Sequence, residues 1–571
     1  MIIKFIKIII FLFSLLVFLW PLTRPGLIAG HDTGARFVHV QMMAKALKDG
    51  QFPVRWVEGP TKGLSHPLFN YYPPLFYYPP AILILLGVGL VPAVYTTLAL
   101  SAIIGWLGMY LFVKKLAGSL PAVISASIFI FTPYRISQIY VRAAYGEFLA
   151  TALIPWAFLG IYNLYNDYNR YNYYKNFLLL SFSLAAILTS HQPTFIMILP
   201  ALLAWIGYLW IIRASRKEML ISFLAIGVAL LLAASFVIPL IGESQFIRPV
   251  GLSAGYFDFR QHFATIGQLI YSPWGYGVSQ PGPNDGMSFQ VGVLNWVVVA
   301  GAVGLLLYNL YKNYNRYNYY IFFLSLFLFS LFMSTSASLP IWERFSILSY
   351  IQYPWRYLAV SVLATSVLAG LVFYNLYNRY NHYKNYILLL FLFLPILFNL
   401  KYLAPAAYLS RDIFNFGSKN FPRTDALNGL EPSYFPARVS QINSDPSIPR
   451  FRLVQGKAKI KSLTDKITFQ EFSAQVTSPA TIRINTHYFP GWQARIDNGK
   501  EVSLVTPGFN NPEGNMEITL TPGNYKVSLQ FTNTPIRRLA NYLSLGTALG
   551  LLILAIFPMP IQPRRLDEAK L

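Results

Sequence analysis

Apolar runs recur along the whole chain, many of them roughly 18 or more residues long, which is enough to cross the ~30 Å hydrocarbon core of a bilayer. They lie at about 4–22, 93–113, 120–133, 148–163, 177–190, 195–212, 219–241, 291–310, 321–337, 355–373, 386–403 and 539–557. The pattern predicts a polytopic α-helical membrane protein with 12 crossings, or 13 if residues 75–91, which Pro79-Pro80 interrupt, also cross. Lys4 and Lys7 precede the first run, and Lys114-Lys115 separate two others. Positive residues stay on the cytoplasmic side, so the N-terminus is expected inside and 75–91 becomes juxtamembrane or re-entrant. No small-x-small cleavage site follows Met1–Leu22, which is read as an uncleaved first span.

Between the first spans, residues 23–74 form a large outer loop. Within it Phe37, Val40, Ala44 and Leu47 recur at helical spacing, and Asp49-Gly50 supplies a stop. An amphipathic helix over 33–48, lying on the membrane surface, is expected. Residues 405–535 change period. Short alternating segments such as Lys466-Ile467-Thr468-Phe469 and Tyr525-Lys526-Val527-Ser528-Leu529 are separated by Pro/Gly/Asn turns. About eight to ten such strands predict a β-sandwich of jelly-roll type. The expected organisation is a transmembrane domain over 1–404, this extracytoplasmic domain over 405–535, and a final span with a cytoplasmic tail over 536–571.

Three Tyr/Asn-rich loops, each with a YNRYN stretch at 168–172, 314–318 or 377–381, fall on the cytoplasmic side of this topology. Tyrosine suits the headgroup layer, so they read as interfacial anchors rather than as a ligand code.

Composition agrees with the pattern: 55% of residues are hydrophobic and only 12% charged. The formal charge of +23 raises nucleic-acid binding. The basic residues are scattered through short loops and the C-terminal domain with no stripe, so attraction to membrane lipids explains them and no nucleic acid is expected. There are no cysteines, which excludes disulfides and thiolate metal sites. The predicted spans carry no Asp, Glu, Lys, Arg or His in their interiors, which counts against an ion-coupled transporter. Six of the seven histidines face outward in this topology; His382 alone does not.

The polar chemistry therefore gathers in the outer loops. Gly30-His31-Asp32-Thr33-Gly34-Ala35-Arg36 offers a carboxylate, an imidazole and a guanidinium at the start of the predicted helix. Asp32 there is a catalytic carboxylate or a helix N-cap, and Arg36 a partner of it at i,i+4. The aromatic, proline-rich segment holding His66 shapes a lip over a pocket or rides the interface. Arg142 and Glu147 form an anchoring salt bridge or contact a substrate. His191 sits at a tight outer turn, as a phosphate or hydroxyl contact or simply solvated. Gln352 and Arg356 enter a span from outside, and Arg356 either grips a phosphate or snorkels to headgroups. No P-loop, GxGxxG or HExxH pattern is present.

Taken together, the GHDTGARFVHVQMMAKALKDGQFPVRW, SHPLFNYYPPLFYY, RAAYGEFLA, SHQPT and QYPWRYL segments resemble one family. These are the bacterial membrane proteins labelled, misleadingly, as pyruvoyl-tetrahydropterin synthase-related. YFPGWQARIDNGK and TPGNYKVSLQFTNTPIRR resemble the end of YfhO-like proteins, and both groups look like members of the GT-C superfamily of integral-membrane glycosyltransferases. The resemblance implies a GT-C fold in the cytoplasmic membrane and a polyprenyl-phosphate-linked sugar donor. It implies a saccharide, lipid or protein acceptor, and an acidic catalytic residue in the first outer loop, carried here onto Asp32. Many such enzymes show paired acids where this chain has His31-Asp32, which departs from a two-carboxylate mechanism or a carboxylate-bound metal; no cofactor is assigned and a divalent metal stays open. Arg356, Arg142 and then His191 are the expected cations for the leaving phosphate. Two other functions remain open at this point, a flippase or transporter of lipid-linked saccharides and a non-catalytic scaffold for surface glycans.

Overall fold

The computed structural model describes the chain except residues 1, 61–62, 168–169, 249–252, 312–317, 381–382, 417–431, 443–444, 446, 498–501, 506–507, 510 and 557–571. Much of the YNRYN stretches at 168–172 and 314–318, His382, the Asn498-Gly499 turn and the tail after 556 thus lie outside the described residues.

Among the described residues, seven helices are long and apolar enough to cross a membrane: Leu90–Ala117, Tyr145–Asn166, Gln192–Arg213, Val293–Tyr311, Pro354–Arg379, Tyr386–Leu403 and Pro535–Ile556. Three further pairs qualify only together and are sharply bent: Ser119–Phe131 with Pro133–Tyr140 at 45°, Arg216–Leu232 with Ala234–Gly242 at 70°, and Tyr319–Ser334 with Ser336–Arg344 at 87°. The first break has a local cause. Pro133 cannot supply the amide the helix needs, and it pushes Thr132 out to extended backbone at φ −60°, ψ 136°.

By length and composition alone the described residues hold seven such helices, or up to ten if each bent pair is one span, against about twelve expected over the whole chain. The apolar part of the first run, Lys7–Thr23, is shorter than a full span. The expected span 177–190 is the end of a helix, Arg170–Ser190, whose first two turns (RYNYYKN) are polar. Residues 75–91 resolve into an apolar helix ending at Leu85, also too short to cross alone, and a new helix that starts at Leu90.

The charge-free interior expected for the spans is corrected at two places. The helix over 145–166 starts early enough to carry Glu147 in its first turn, and the restarted helix Pro133–Tyr140 carries buried Arg135. Arg135 donates from Nη1 to the Phe148 carbonyl at 2.8 Å and to Gln138 Oε1 at 3.3 Å. Charge at this depth persists only where such partners replace water.

The predicted helix is present at Thr33–Lys48 and stops at Asp49-Gly50, where Gly50 takes φ +86°. Its expected place on the membrane surface is overturned. Phe37, Val38, His39, Val40, Met42 and Met43 are all fully buried, which covers more than one face. Part of the cover is local, the Phe69, Tyr72 and Tyr77 rings standing edge-on to His39, and part comes from the C-terminal domain. Gln41 Nε2 donates to the Phe414 carbonyl at 2.6 Å, Phe414 packs on Gly34, and Asp49 Oδ2 accepts from the Ile467 amide at 2.8 Å.

That domain is one six-stranded antiparallel sheet: β1 Phe451–Asp465, β2 Phe469–His487, β3 Trp492–Asp497, β4 Val502–Val505, β5 Asn515–Leu520 and β6 Gly523–Phe531. The order is β1-β2-β6-β3-β4, with β5 on β2. Eight to ten strands were expected, but β1 and β2 run 15 and 19 residues and absorb several of the short segments. The first half of β2 pairs with β6 and the second half with β5, so it carries both partners along one strand. A two-residue ladder, Leu27–Ile28 against Tyr408–Leu409, ties the first outer loop to the chain entering this domain.

Candidate functional site

The site is built where two loops are strapped together. The turn after Tyr140 needs a left-handed residue, Ala143 at φ +53°, before the helix over 145–166 can begin. Against it lies the GHD turn. The His31 amide donates to the Val141 carbonyl at 3.0 Å and the Asp32 amide to the Arg142 carbonyl at 3.2 Å. Gly30 is required for this approach, since a Cβ there would stand 3.0 Å from the Val141 oxygen and 3.2 Å from Ala143. Thr33 locks the turn from within, accepting from the Gly30 amide and donating to the Ile28 carbonyl, both at 3.0 Å.

Asp32 occupies the N-cap position but makes no capping bond with its side chain. Its Oδ2 instead meets Arg36 Nη2 at 2.5 Å, the i,i+4 pair, and the carboxylate keeps 47% of its exposure. Arg36 also lies over the Tyr72 ring, 5.2 Å from its centroid.

Glu147 is the opposite kind of carboxylate, 1% exposed and surrounded by donors. Arg142 grips it with both terminal nitrogens, at 2.5 and 3.1 Å. Tyr134 OH and Gln138 Nε2 donate to its Oε1, the latter at 2.9 Å. Arg356 Nε and His191 Nε2 stand 3.6 and 3.9 Å from its Oε2. Arg142 further packs on Trp355, with Cζ 4.6 Å from the ring centroid. Glu147 outweighs the cost of burial and holds the Arg142 guanidinium above its ordinary pKa.

Arg356 is aimed by Gln352, which takes φ +66°. From Nη1 it donates to the Ile351 carbonyl at 2.6 Å and to Gln352 Oε1 at 3.2 Å. His191 accepts the Thr194 amide on Nδ1 at 3.3 Å, which leaves Nε2 as the protonated nitrogen facing Glu147. Burial pushes its pKa down to about 3, against the pull of Glu147 and with Arg356 and Arg142 adding to the depression. At that pKa His191 is neutral at pH 7. It remains a hydrogen-bond donor. His31, itself exposed, points Nε2 to the Tyr276 carbonyl at 3.0 Å.

Eight of the nine candidates thus share one neighbourhood: His31, Asp32, Arg36, Arg142, Glu147, His191, Gln352 and Arg356. His66 does not join them. It is fully buried and stacks on Phe435 at 4.6 Å, where the sheet domain docks. Beside it His487 Nδ1 donates to the Ser65 carbonyl at 2.6 Å.

Sequence reasoning missed Tyr134 and Gln138 on the restarted helix, and Tyr256 and Tyr353, whose ring centroids lie 6.3 Å apart. A signal existed for the first two, in the polar residues Arg135, Ser137 and Gln138 that follow Pro133 at helical spacing. Burial and, among lesser causes, the Asp32 charge push the Tyr353 and Tyr256 phenols up, which places both rings within electrical reach of Asp32. Among the described residues no group of three or more His, Asp or Glu side chains is arranged to hold a metal ion.

Residues 69–268, about a third of the chain, match the model of the 6-pyruvoyl-tetrahydropterin synthase related domain, described as a membrane protein. The chain is similar to that family. The related-domain match takes in Tyr134, Arg142, Glu147 and His191, whereas Asp32, Arg36, Gln352 and Arg356 lie outside it. No curated protein matches the chain. Among solved structures, it is similar to ArnT from Cupriavidus metallidurans, bound there to undecaprenyl phosphate. The likeness covers 64% of this chain and 59% of that one, at 13% identity and a TM-score of 0.39. At that depth it carries no weight for this chain's chemistry.

Proposed function

We propose that this membrane protein is a glycosyltransferase of GT-C type, moving a sugar from a polyprenyl-phosphate donor to an acceptor hydroxyl on the face that bears the sheet domain. The observation that carries the reading is the contrast between the two carboxylates. Glu147 is buried and fully committed, while Asp32, strapped beside it, is half exposed with one cation partner.

In this reading Asp32 is the general base. The acceptor oxygen attacks the anomeric carbon while its proton passes to the Asp32 carboxylate. The bond from that carbon to the phosphate oxygen breaks, and its electron pair leaves with the lipid phosphate. A single displacement inverts the anomeric centre. Negative charge grows on the phosphate, and Arg356, whose Nε faces Glu147 but is not hydrogen-bonded, is the cation best placed to meet it. Arg142 is held bidentately by Glu147, so its contribution is the local field and the orientation of the loop that carries Asp32. His31 and His191 offer neutral hydrogen bonds to substrate oxygens.

The test uses the full chain in proteoliposomes with a radiolabelled polyprenyl-phosphate hexose, reading the release of free polyprenyl phosphate. Asp32→Asn should slow release by at least ~10²-fold with the protein still folded. Undiminished release would remove Asp32 from the base role.

A further inference from the structure

A second polar site lies away from this cluster, where the sheet domain meets the last helix. A cavity of about 490 Å³ is lined by Gln493, Thr532, Asn533, Arg538, Asn541 and Tyr542. That volume falls among small-ligand sites, about 300–1,000 Å³.

The charge behind its walls does not balance. Glu243 is the acidic group there, and it is already satisfied by Arg537 Nε at 2.9 Å, Asn70 Nδ2 at 2.9 Å and Thr534 Oγ1 at 2.7 Å. Arg55 is 3% exposed and finds only neutral oxygens, Asn70 Oδ1 at 3.1 Å and the cavity-wall Asn541 Oδ1 at 2.7 Å. Its Nε and Arg537 Nη2 are buried without a hydrogen-bond partner. Arg538, in the wall itself, has no ion pair among the described residues. Burial and the nearby Arg537 charge push Arg55 down to about 10, with Glu243 only partly opposing. Two buried guanidinium groups, Arg55 and Arg537, thus share one carboxylate behind the wall while Arg538 lines the cavity itself, and an anion seated in the cavity relieves the excess.

The wall also continues into the membrane. Tyr542 is 70% exposed, and Leu545, Leu549 and Leu552 follow it down the same side of the helix, all more than half or about half exposed. We propose that this cavity binds the phosphodiester headgroup of an anionic phospholipid from the leaflet on the sheet domain's side, with its acyl chains lying along Leu545 and Leu549. Asn541, turned by Arg55 so that its amide nitrogen is free of that bond, and Tyr542 supply neutral donors beside Arg538. The site is separate from the proposed catalytic one and does not depend on it.

The experiment uses the purified full chain in a neutral detergent and measures binding of phosphatidylglycerol against phosphatidylcholine. Phosphatidylglycerol should bind in preference, Arg538→Gln should weaken it about tenfold, and Arg538→Lys should recover part of the loss. Arg538 is exposed, and unchanged helix content separates the effect from misfolding. Equal binding of the two lipids, or an unaltered affinity in Arg538→Gln, would overturn the proposal. Displacement by polyprenyl phosphate at much lower concentration would reassign the cavity to the donor, and displacement by inorganic phosphate at equal concentration would reassign it to a free anion; either overturns the phospholipid.

Discussion

Arg142 Nη2 stands 2.5 Å from Glu147 Oε2, five residues apart in sequence and with both side chains buried. A pair this desolvated is costly to break from one side, because the survivor keeps its charge and loses its partner. Glu147→Ala should lower stability by about 3–5 kcal/mol, with Arg142, Arg356 and His191 left facing one another. Adding Arg142→Met to that variant should restore part of the loss. Thermal unfolding in detergent checks both, and a double variant less stable than the single one would contradict the account.

Arg356 makes a different prediction, because its guanidinium is positioned by Gln352 and Ile351 rather than consumed by an acid. If it meets the leaving phosphate, Arg356→Gln should lower kcat/KM at least tenfold, and Arg356→Lys should recover little, since a point charge cannot reproduce the fork. Unfolding temperature should move far less than in Glu147→Ala. Steady-state kinetics on the polyprenyl-phosphate hexose distinguish this from a purely structural arginine.

Gly30 tests the strap itself. Alanine there puts a methyl group 3.0 Å from the Val141 oxygen, with Ala143 on the other side, so one loop must shift and Asp32 shifts with it. Displacement of a catalytic group by about 1 Å can cost ~10²-fold in rate. Gly30→Ala should therefore impair transfer strongly at nearly unchanged helix content, whereas Gly207→Ala, with nothing within 4 Å, should leave it intact.

The Thr33–Lys48 helix shows how far local pattern reaches. Its ends were legible, because Phe37, Val40, Ala44 and Leu47 keep helical period and Asp49-Gly50 stops it. Its burial was not, because the cover comes from other segments, Phe69, Tyr72 and Tyr77 nearby and Phe414 and Ile467 nearly four hundred residues away, and periodicity within one segment carries no information about them. The same limit explains Glu147. Two opposite charges beside a span read equally as a loop salt bridge or a substrate contact, and only the fold brings His191, Arg356 and Tyr134 to the same carboxylate. Tyr134 and Gln138 were hidden for a more local reason. Pro133 marks where one helix ends, and the eight-residue helix that restarts after it is too short to stand out by apolar length. Long β1 and β2 were divided by pattern into shorter strands because bulges at Leu453/Gln455 and Gln455/Lys457 break their alternation without ending the pairing.

Acid sensitivity follows from two buried histidines outside the spans. Burial lowers His191 to about 3 and His487 to about 4, the latter against the Ser65 carbonyl that favours its proton. Both are neutral in the folded protein at pH 7, while the unfolded chain takes up protons on them near pH 6.5. Below that value the unfolded state binds more protons than the folded one, so stability falls with falling pH. The contribution is complete above about 6.5 and is lost progressively down to about 4 for His487 and 3 for His191. At pH 5 each histidine costs about 2 kcal/mol, from 1.36 kcal/mol per pH unit. The unfolding temperature should drop between pH 7.5 and 5. In His487→Gln, whose amide can still donate to the Ser65 carbonyl, the loss of stability at pH 5 should shrink by His487's own share of about 2 kcal/mol. An unchanged pH slope in that variant would mean that His487 does not take part in the linkage.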